Sequence, residues 1–227
     1  ITMRFVFLRA SRIGLICLKE LCKLDDIDLV GVVTAPKFFS ISYNSKGVVN
    51  FLHADISSYC MHQNIPFLSL KTNMKDVHLL KTLRDWKPDY FLVAGWYHII
   101  PQNIRSIAPA LGLHASLLPD YSGGAPLVWA IINDENETGI TLFVMDDGVD
   151  TGPVIAQKSV PIYFQDNIAT LYYKIEKAGL FLINNSLPKY LKNELRARPQ
   201  DHTQRRVMPQ RSPDDGLINW KIRGKKV

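Results

Sequence analysis

His114 closes the apolar run Leu111-Gly112-Leu113 and is followed at once by Ala115-Ser116-Leu117-Leu118-Pro119. Further on, Asp146-Asp147-Gly148-Val149-Asp150-Thr151-Gly152 places three carboxylates and two glycines in one loop. An imidazole oriented by a carboxylate such as Asp150 can donate a proton or stabilise developing negative charge. A hydrogen-bonded structural histidine needs no more than the same pair, so the surrounding residues decide. Pro119 has no N–H to give to a ladder and ends the strand sharply. Gly123-Gly124 permit backbone paths that larger residues forbid. Three carboxylates in one loop are too costly to bury unless they are paired or set at a ligand. A calcium site is the metal reading of that loop, but the spacing is not that of an EF-hand. Cys17, Cys22 and Cys60 have no C-x-x-C spacing, which argues against both zinc and a disulfide framework. No metal is expected.

The elements that must carry these residues follow a strand–helix rhythm. "MRFVFL" reads as a strand, and Ser11 is placed to cap a helix through about Leu24. "IDLVGVVTA" is continuous enough to be a strand buried on both faces. Residues 36–52 have no clean periodicity and read as a long loop near a functional edge. Helices are expected around 54–63 and 74–85, with "IPFLSL" a strand between them. "DYFLVAGW" and "LGLHAS" are the next strands, with Pro101 opening a short helix and 126–132 forming another. "GITLFVM" and "PVIAQKSVPI" read as antiparallel neighbours. The spacing from Asn167 to Leu191 predicts one long amphipathic helix. The whole is an α/β, Rossmann-like, mostly parallel sheet with helices on both faces. Such sheets bind ligands beyond the carboxyl ends of their strands, where Trp96-Tyr97-His98, His114-Ala115-Ser116 and Asp146 to Asp150 are expected to converge. The first turn, "RASRIG", lacks the glycines of a dinucleotide site, and there is no P-loop.

Charge divides the chain. The net charge is +6, yet residues 189–227 alone carry +7, leaving 1–188 near neutral. The basic end reads as a solvated tail or as a segment that meets a phosphate-bearing partner such as RNA. No apolar run reaches the roughly 18 residues of a membrane span, so no membrane partner is expected. The start does not resemble a signal peptide, and the cysteine usage fits a reducing, cytoplasmic setting.

Read as a whole, "GLHASLLPDYSGGAPLVWAIINDENETGITLFVMDDGVDTGPVIAQ" resembles the N-terminal catalytic domain of the 10-formyltetrahydrofolate-dependent formyltransferase family. The motifs H-x-S-L-L-P, A-P, W-A-I, E-T-G and D-x-G-x-D-T-G occur in the family's order and spacing, and "AGWYHIIP" stands where the family has its folate-binding segment. The resemblance implies a formyltransferase domain over 1–190 and a basic lead-in over 191–227. It implies 10-formyltetrahydrofolate as donor and a primary amine as acceptor, either methionyl-tRNA, met in part through the basic tail, or a small amine such as an amino-sugar nucleotide. His114 matches the catalytic histidine and Asp150 the aspartate that orients it. Trp96, His98, Ile99, Ile100, Val144, Asp146, Gly148 and Val149 would line the folate pocket. Ser116, Gly123, Gly124, Ala125 and Pro126 would shape the acceptor side.

Two departures stand out. The family reads N-x-H where this chain reads "GLH", so Gly112 replaces an asparagine whose amide donates to the formyl oxygen. His98 or a backbone N–H is the candidate replacement. The methionyl-tRNA type also continues into a C-terminal β-barrel, whereas this sequence stops at "WKIRGKKV", leaving a short chain and a truncated one both open. Two other functions compete. One is formyltetrahydrofolate hydrolase, whose usual N-terminal regulatory domain this sequence does not begin with. The other is a non-catalytic folate- or RNA-binding module.

Overall fold

The computed structural model describes residues 2–41, 44–71 and 73–221. In chain order its elements are β1 (Met3–Arg9), α1 (Arg12–Leu21), β2 (Ile27–Thr34), β3 (Phe38–Ile41), β4 (Asn44–Val49), α2 (Ser57–His62), β5 (Phe67–Ser69) and α3 (Val77–Asp85). There follow β6 (Tyr90–Ala94), α4 (Gln102–Arg105), β7 (Ala110–His114), β8 (Ser122–Gly123), α5 (Pro126–Ile132), β9 (Glu137–Val144), β10 (Val154–Pro161), α6 (Ile168–Asn185), α7 (Leu187–Leu191) and β11 (Val207–Met208).

Seven strands form the main sheet in the order β10-β9-β7-β6-β1-β2-β5. The five from β7 to β5 are mutually parallel, while β9 runs against β7 and β10 against β9. Central strands must be apolar on both faces, and β1 shows why this sequence qualifies. Phe5 and Phe7 point to one face, among Leu18 and Leu21 of α1 and Leu171, Ile175 and Leu182 of α6. Val6 and Leu8 point to the other, among Leu79 and Leu83 of α3 and Ile104 of α4. Helices therefore cover both faces, as the rhythm of the sequence predicts.

Three expectations need correction. The stretch 36–52 is not a plain loop: β3 and β4 pair as an antiparallel hairpin. Phe39 of that hairpin stacks on Tyr97 with ring centroids 5.3 Å apart and meets His98 edge-on at 5.8 Å. The long helix over 167–191 is two. Pro188 has no N–H and its ring would clash with the carbonyl four residues back, so α6 stops at Asn185 and α7 begins at Leu187. Ser11 makes no capping hydrogen bond to α1; it is buried against Gly95 instead, where an added Cβ would lie 2.0 Å from the serine Oγ.

The turn after β7 is fastened by one hydroxyl. Thr141 of β9 is fully buried; its Oγ1 donates to the Ser116 carbonyl at 2.7 Å and accepts from the Leu118 N–H at 3.1 Å. Gln157 of β10 adds a donor to the same hydroxyl and to the Leu118 carbonyl, at 3.0 and 2.8 Å. A hydroxyl in this position satisfies backbone groups that no water reaches. Thr141→Val keeps the shape and strands those groups, so it should cost about 2 kcal/mol of unfolding free energy. Urea denaturation of the two proteins measures it, and a difference under about 0.5 kcal/mol would show that the turn does not depend on this bond.

Candidate active site

β7 ends on His114, and its side chain is 13% exposed. The imidazole Nε2 lies 2.8 Å from the Tyr121 carbonyl. A carbonyl can only accept, so Nε2 carries the proton in this arrangement. Nδ1 faces Asp150 Oδ2 at 3.5 Å, and the aspartate side chain is 16% exposed. Asp150 Oδ2 also accepts from the Gly123 N–H at 2.9 Å. Histidine, aspartate and the glycine turn thus meet in one small, largely enclosed cluster.

They do not meet because strand ends converge. β9 is antiparallel, so its carboxyl end lies beside the start of β7: Val144 pairs with Leu111, and the Met145 N–H donates to the Ala110 carbonyl. His114 lies four steps away, about 13 Å at roughly 3.3 Å per residue. The five steps from Met145 to Asp150 reach about 17 Å at most, just enough for the loop to double back along β7. Gly152 closes that path against the backbone; a Cβ there would lie 1.7 Å from the Val144 carbonyl oxygen. The acidic loop is balanced inside itself and by neighbours. Asp146 accepts from the Gly148 N–H at 3.1 Å and from Thr151 Oγ1 at 2.6 Å. Asp147 pairs with Arg105.

The other expected residues divide. Ile100 is core at 2% exposed, whereas Ile99 is 76% exposed. Trp96 is half-buried, packs edge-on to His98 at 5.5 Å, and its indole N–H is buried with no acceptor among the described residues. Burial holds His98 below the ordinary histidine range, which keeps the ring neutral near pH 7, able to donate through one nitrogen only. Val144 is half-buried, while Asp146, Gly148 and Val149 are exposed on the doubled-back loop. Ser116 is buried, and its hydroxyl braces the turn by donating to the Asp120 carbonyl at 2.7 Å. Ala125 takes a left-handed backbone just before α5, with Pro126 in its first turn.

The segment after α7 was not readable from the sequence as part of the site. Residues 198–211 form a strap across it. β11 of the strap pairs in parallel with β8, so Gly123 and Gly124 are where another backbone passes. A Cβ on Gly123, whose φ is +93°, would lie 2.5 Å from the Met208 carbonyl, and one on Gly124 would lie 2.7 Å from Gln210 Cα. The glycine pair signalled a close approach; what approaches lies some 85 residues away. Much of the tail's charge is used within the chain. Arg206 pairs with Asp120 and Glu135, Arg211 sits over the Trp129 ring at 5.0 Å, and Lys192 pairs with Asp26 at 2.8 Å. Arg223, Lys225 and Lys226 lie outside the described residues. An open cleft of about 440 Å³ follows the seam between loop and strap, lined by Asp146, Thr151, His202, Arg205 and Val207. Among the described residues no group of three or more His, Cys, Asp or Glu is placed to hold a metal, and no helix is long and apolar enough to cross a membrane.

A family model described as "Formyl transferase" matches residues 19–186. The chain belongs to the formyl transferase family. Methionyl-tRNA formyltransferase of Dictyoglomus thermophilum is 30% identical over 227 residues, covering 99% of this chain and 70% of that protein. The enzyme of the same name from Thermodesulfovibrio yellowstonii is 36% identical over 180 residues, covering 78% of this chain and 58% of its own length. The chain therefore spans between about half and three quarters of these relatives. Among solved structures, WlaRD, a sugar 3N-formyl transferase crystallised with dTDP and 5-N-formyl-THF, superposes with a TM-score of 0.69 at 19% identity over 100% of this chain and 77% of that one. That likeness establishes the formyltransferase fold.

Gly112 stands where the resemblance leads one to expect an asparagine. It pairs with Phe143 across β7 and β9, and the phenyl ring occupies the space a side chain at 112 needs. An added Cβ would lie 2.6 Å from Phe143 Cε1 and 3.3 Å from Met145 Cγ. An aromatic ring thus occupies the room beside residue 112. Gly112→Asn alone should therefore overpack the site and destabilise the fold by about 1–3 kcal/mol. Combined with Phe143→Ala it should cost less than the sum of the two single changes. A double-mutant cycle from thermal unfolding checks this, and simple additivity would mean that ring and residue 112 do not compete.

Proposed function

We propose that this chain transfers a formyl group from 10-formyltetrahydrofolate to a primary amine, with His114 and Asp150 as its acid–base pair. The observation that carries the reading is the paired imidazole and carboxylate at the end of β7, inside a member of the formyl transferase family. The unpartnered Trp96 N–H in the segment expected to hold folate fits a polar ring bound there.

The reaction needs little from the protein beyond placement and charge control. The neutral amine adds to the formyl carbon, forming a C–N bond and an oxyanion. The His114 Nε2–H, held at rest by the Tyr121 carbonyl, shifts to that oxygen as its charge develops, and Asp150 takes up the proton the nitrogen sheds. Collapse breaks the bond to the folate N10, which takes the proton back from Asp150 and leaves as the amine. Losing a preorganised donor typically costs on the order of 100- to 1,000-fold in rate, so catalysis here leans more heavily on His114 than it does where an asparagine is present. The acceptor is methionyl-tRNA or an amino-sugar nucleotide. Both carry phosphate, and the basic residues 221–227 would meet it; the relatives named for methionyl-tRNA favour the former.

Single-turnover release of tetrahydrofolate, with methionyl-tRNA, an amino-sugar nucleotide or water alone, separates the readings. Release with an amine only is the expected outcome. Release in water alone makes the chain a hydrolase, and no release under any condition leaves a binding module. His114→Ala should slow turnover by about 1,000-fold or more while the folate dissociation constant, from fluorescence titration, stays within about threefold. Surviving activity in that variant would remove His114 from the chemistry.

A further inference from the structure

We propose that the strap over residues 198–211 belongs to the active-site unit, and that Gln200 and Arg206 within it are positioning residues, the first for Asp150 and the second for His114. The roles assume the formyl-transfer reading above, but the geometry stands without it. The family match ends at residue 186, so this unit extends some 25 residues beyond what the match delimits.

The sheet does not dictate where Asp150 goes. Its loop leaves β9 at the wrong end of β7 and must be held in its return path. The strap holds it by the backbone. Gln200 Nε2 donates to the carbonyls of Asp150 and Gly152 at 2.9 and 2.7 Å, and Arg205 Nη2 donates to the Val149 carbonyl at 2.8 Å. Gln200 is only 8% exposed, so these carbonyls have no ready substitute in water. Asp150 itself has φ +56°, a left-handed backbone that a non-glycine residue keeps only when its surroundings impose it. The glutamine amide imposes it from both sides of the intervening Thr151. Its Oε1 is buried and accepts from no group among the described residues; turning the amide over would set that oxygen against two carbonyls, which fixes the orientation.

The strap also sets the groups that hold the side chains. The N–H groups of Ser122 and Gly124 donate to the strap carbonyls of Arg206 and Met208 at 3.1 and 3.0 Å. Alternation along the strand then turns the Gly123 N–H the other way, onto Asp150 Oδ2. Arg206 acts on the second partner. It pairs with both Asp120 and Glu135 and lies 4.6 Å from the centre of the Tyr121 ring. Tyr121 is fixed further by its hydroxyl, which donates to Glu135 at 2.6 Å. Its carbonyl takes the His114 Nε2 proton, and at φ +52° it too is left-handed. Gln200 thus grips one half of the pair from behind and Arg206 the other.

The test uses the whole chain. Gln200→Met keeps the volume and removes both donors, while Arg206→Gln removes the clamp on Tyr121. In folded variants, hydrogen exchange at the Gly123 amide should speed by about tenfold or more in Gln200→Met, with β1 and β6 amides unchanged. In Arg206→Gln the exchange-protected His114 Nε2–H resonance should broaden or vanish. Turnover should fall by about 10- to 100-fold in each at a KM for the formyl donor within about twofold, and Arg206→Lys, which retains a cation at Asp120, should recover most of it. If Gln200→Met fails to fold, Gln200→Asn, which keeps the amide but withdraws it by one methylene, takes its place. Unchanged exchange, imidazole signal and turnover in folded variants would make the strap mere packing and overturn the proposal. If instead the unaltered protein transfers no formyl group, the functional reading fails, while the exchange and imidazole measurements still decide the strap.

Discussion

Because β9 runs against β7, the carboxylate loop starts at the far end of the strand that presents His114. Everything distinctive about this site follows from that reversal. The loop has barely enough length to return, so it carries glycine where it grazes the β9 backbone, while Asp146 is hydrogen-bonded within the loop and Asp147 is paired with Arg105. A loop of three carboxylates is otherwise a poor candidate for tight packing, since unpaired carboxylates resist leaving water. Only Asp150 is left to face the imidazole, and it arrives in a backbone conformation that needs outside support. The support comes from a segment that pairs with the turn on the other side of the histidine. The sheet sets His114, the loop brings Asp150, and the strap couples the two.

Gly112 shows how tightly packing constrains one position of the site. Glycine and Phe143 are cross-strand partners, and one ring fills the room the pair has to share. Apolar burial of that ring stabilises the sheet by an amount comparable with what a well-placed donor contributes to a transition state. The His114 surroundings remain whole, with every backbone and side-chain partner of the turn in place. A site released from function would have little reason to keep a buried threonine hydroxyl, a glutamine and a bidentate arginine all aimed at the same turn.

How much of this was legible from the sequence follows from the range of the interactions involved. The parallel strands announced themselves because both faces of β1 and β2 are apolar, and α5 was delimited by Pro126 and the break after Ile132. His114 and Asp150 were legible as chemistry because both stand beside glycine-rich turns. Periodicity failed where one residue outweighs a pattern: Pro188 divides a stretch whose apolar spacing runs on without interruption. It failed again at residues 36–52, where a hairpin with large exposed side chains lacks the alternation of a half-buried strand. Strand direction was read correctly for β9 and β10 relative to each other, but the consequence of β9 reversing against β7 was not. Convergence at carboxyl ends holds for the parallel part of such a sheet and lapses at its antiparallel edge.

The strap was illegible for a different reason. Gln200, Arg205 and Arg206 sit in a polar stretch with no hydrophobic rhythm, and their positive charge reads as an invitation to an external anion. Within the fold, those charges find carbonyls and carboxylates of the same chain. Arg206 is held between two acids, a setting that raises its proton affinity further above the ordinary arginine value, chiefly through its hydrogen bond to Asp120. A cation committed in this way contributes little to long-range attraction of a phosphate, because its field is largely cancelled by its partners at contact distance. Net charge by segment therefore overstates the electrostatic reach of this end of the molecule. A basic run counts toward a partner only after the acids it already neutralises have been subtracted, and here Asp120, Glu135 and Asp26 come first.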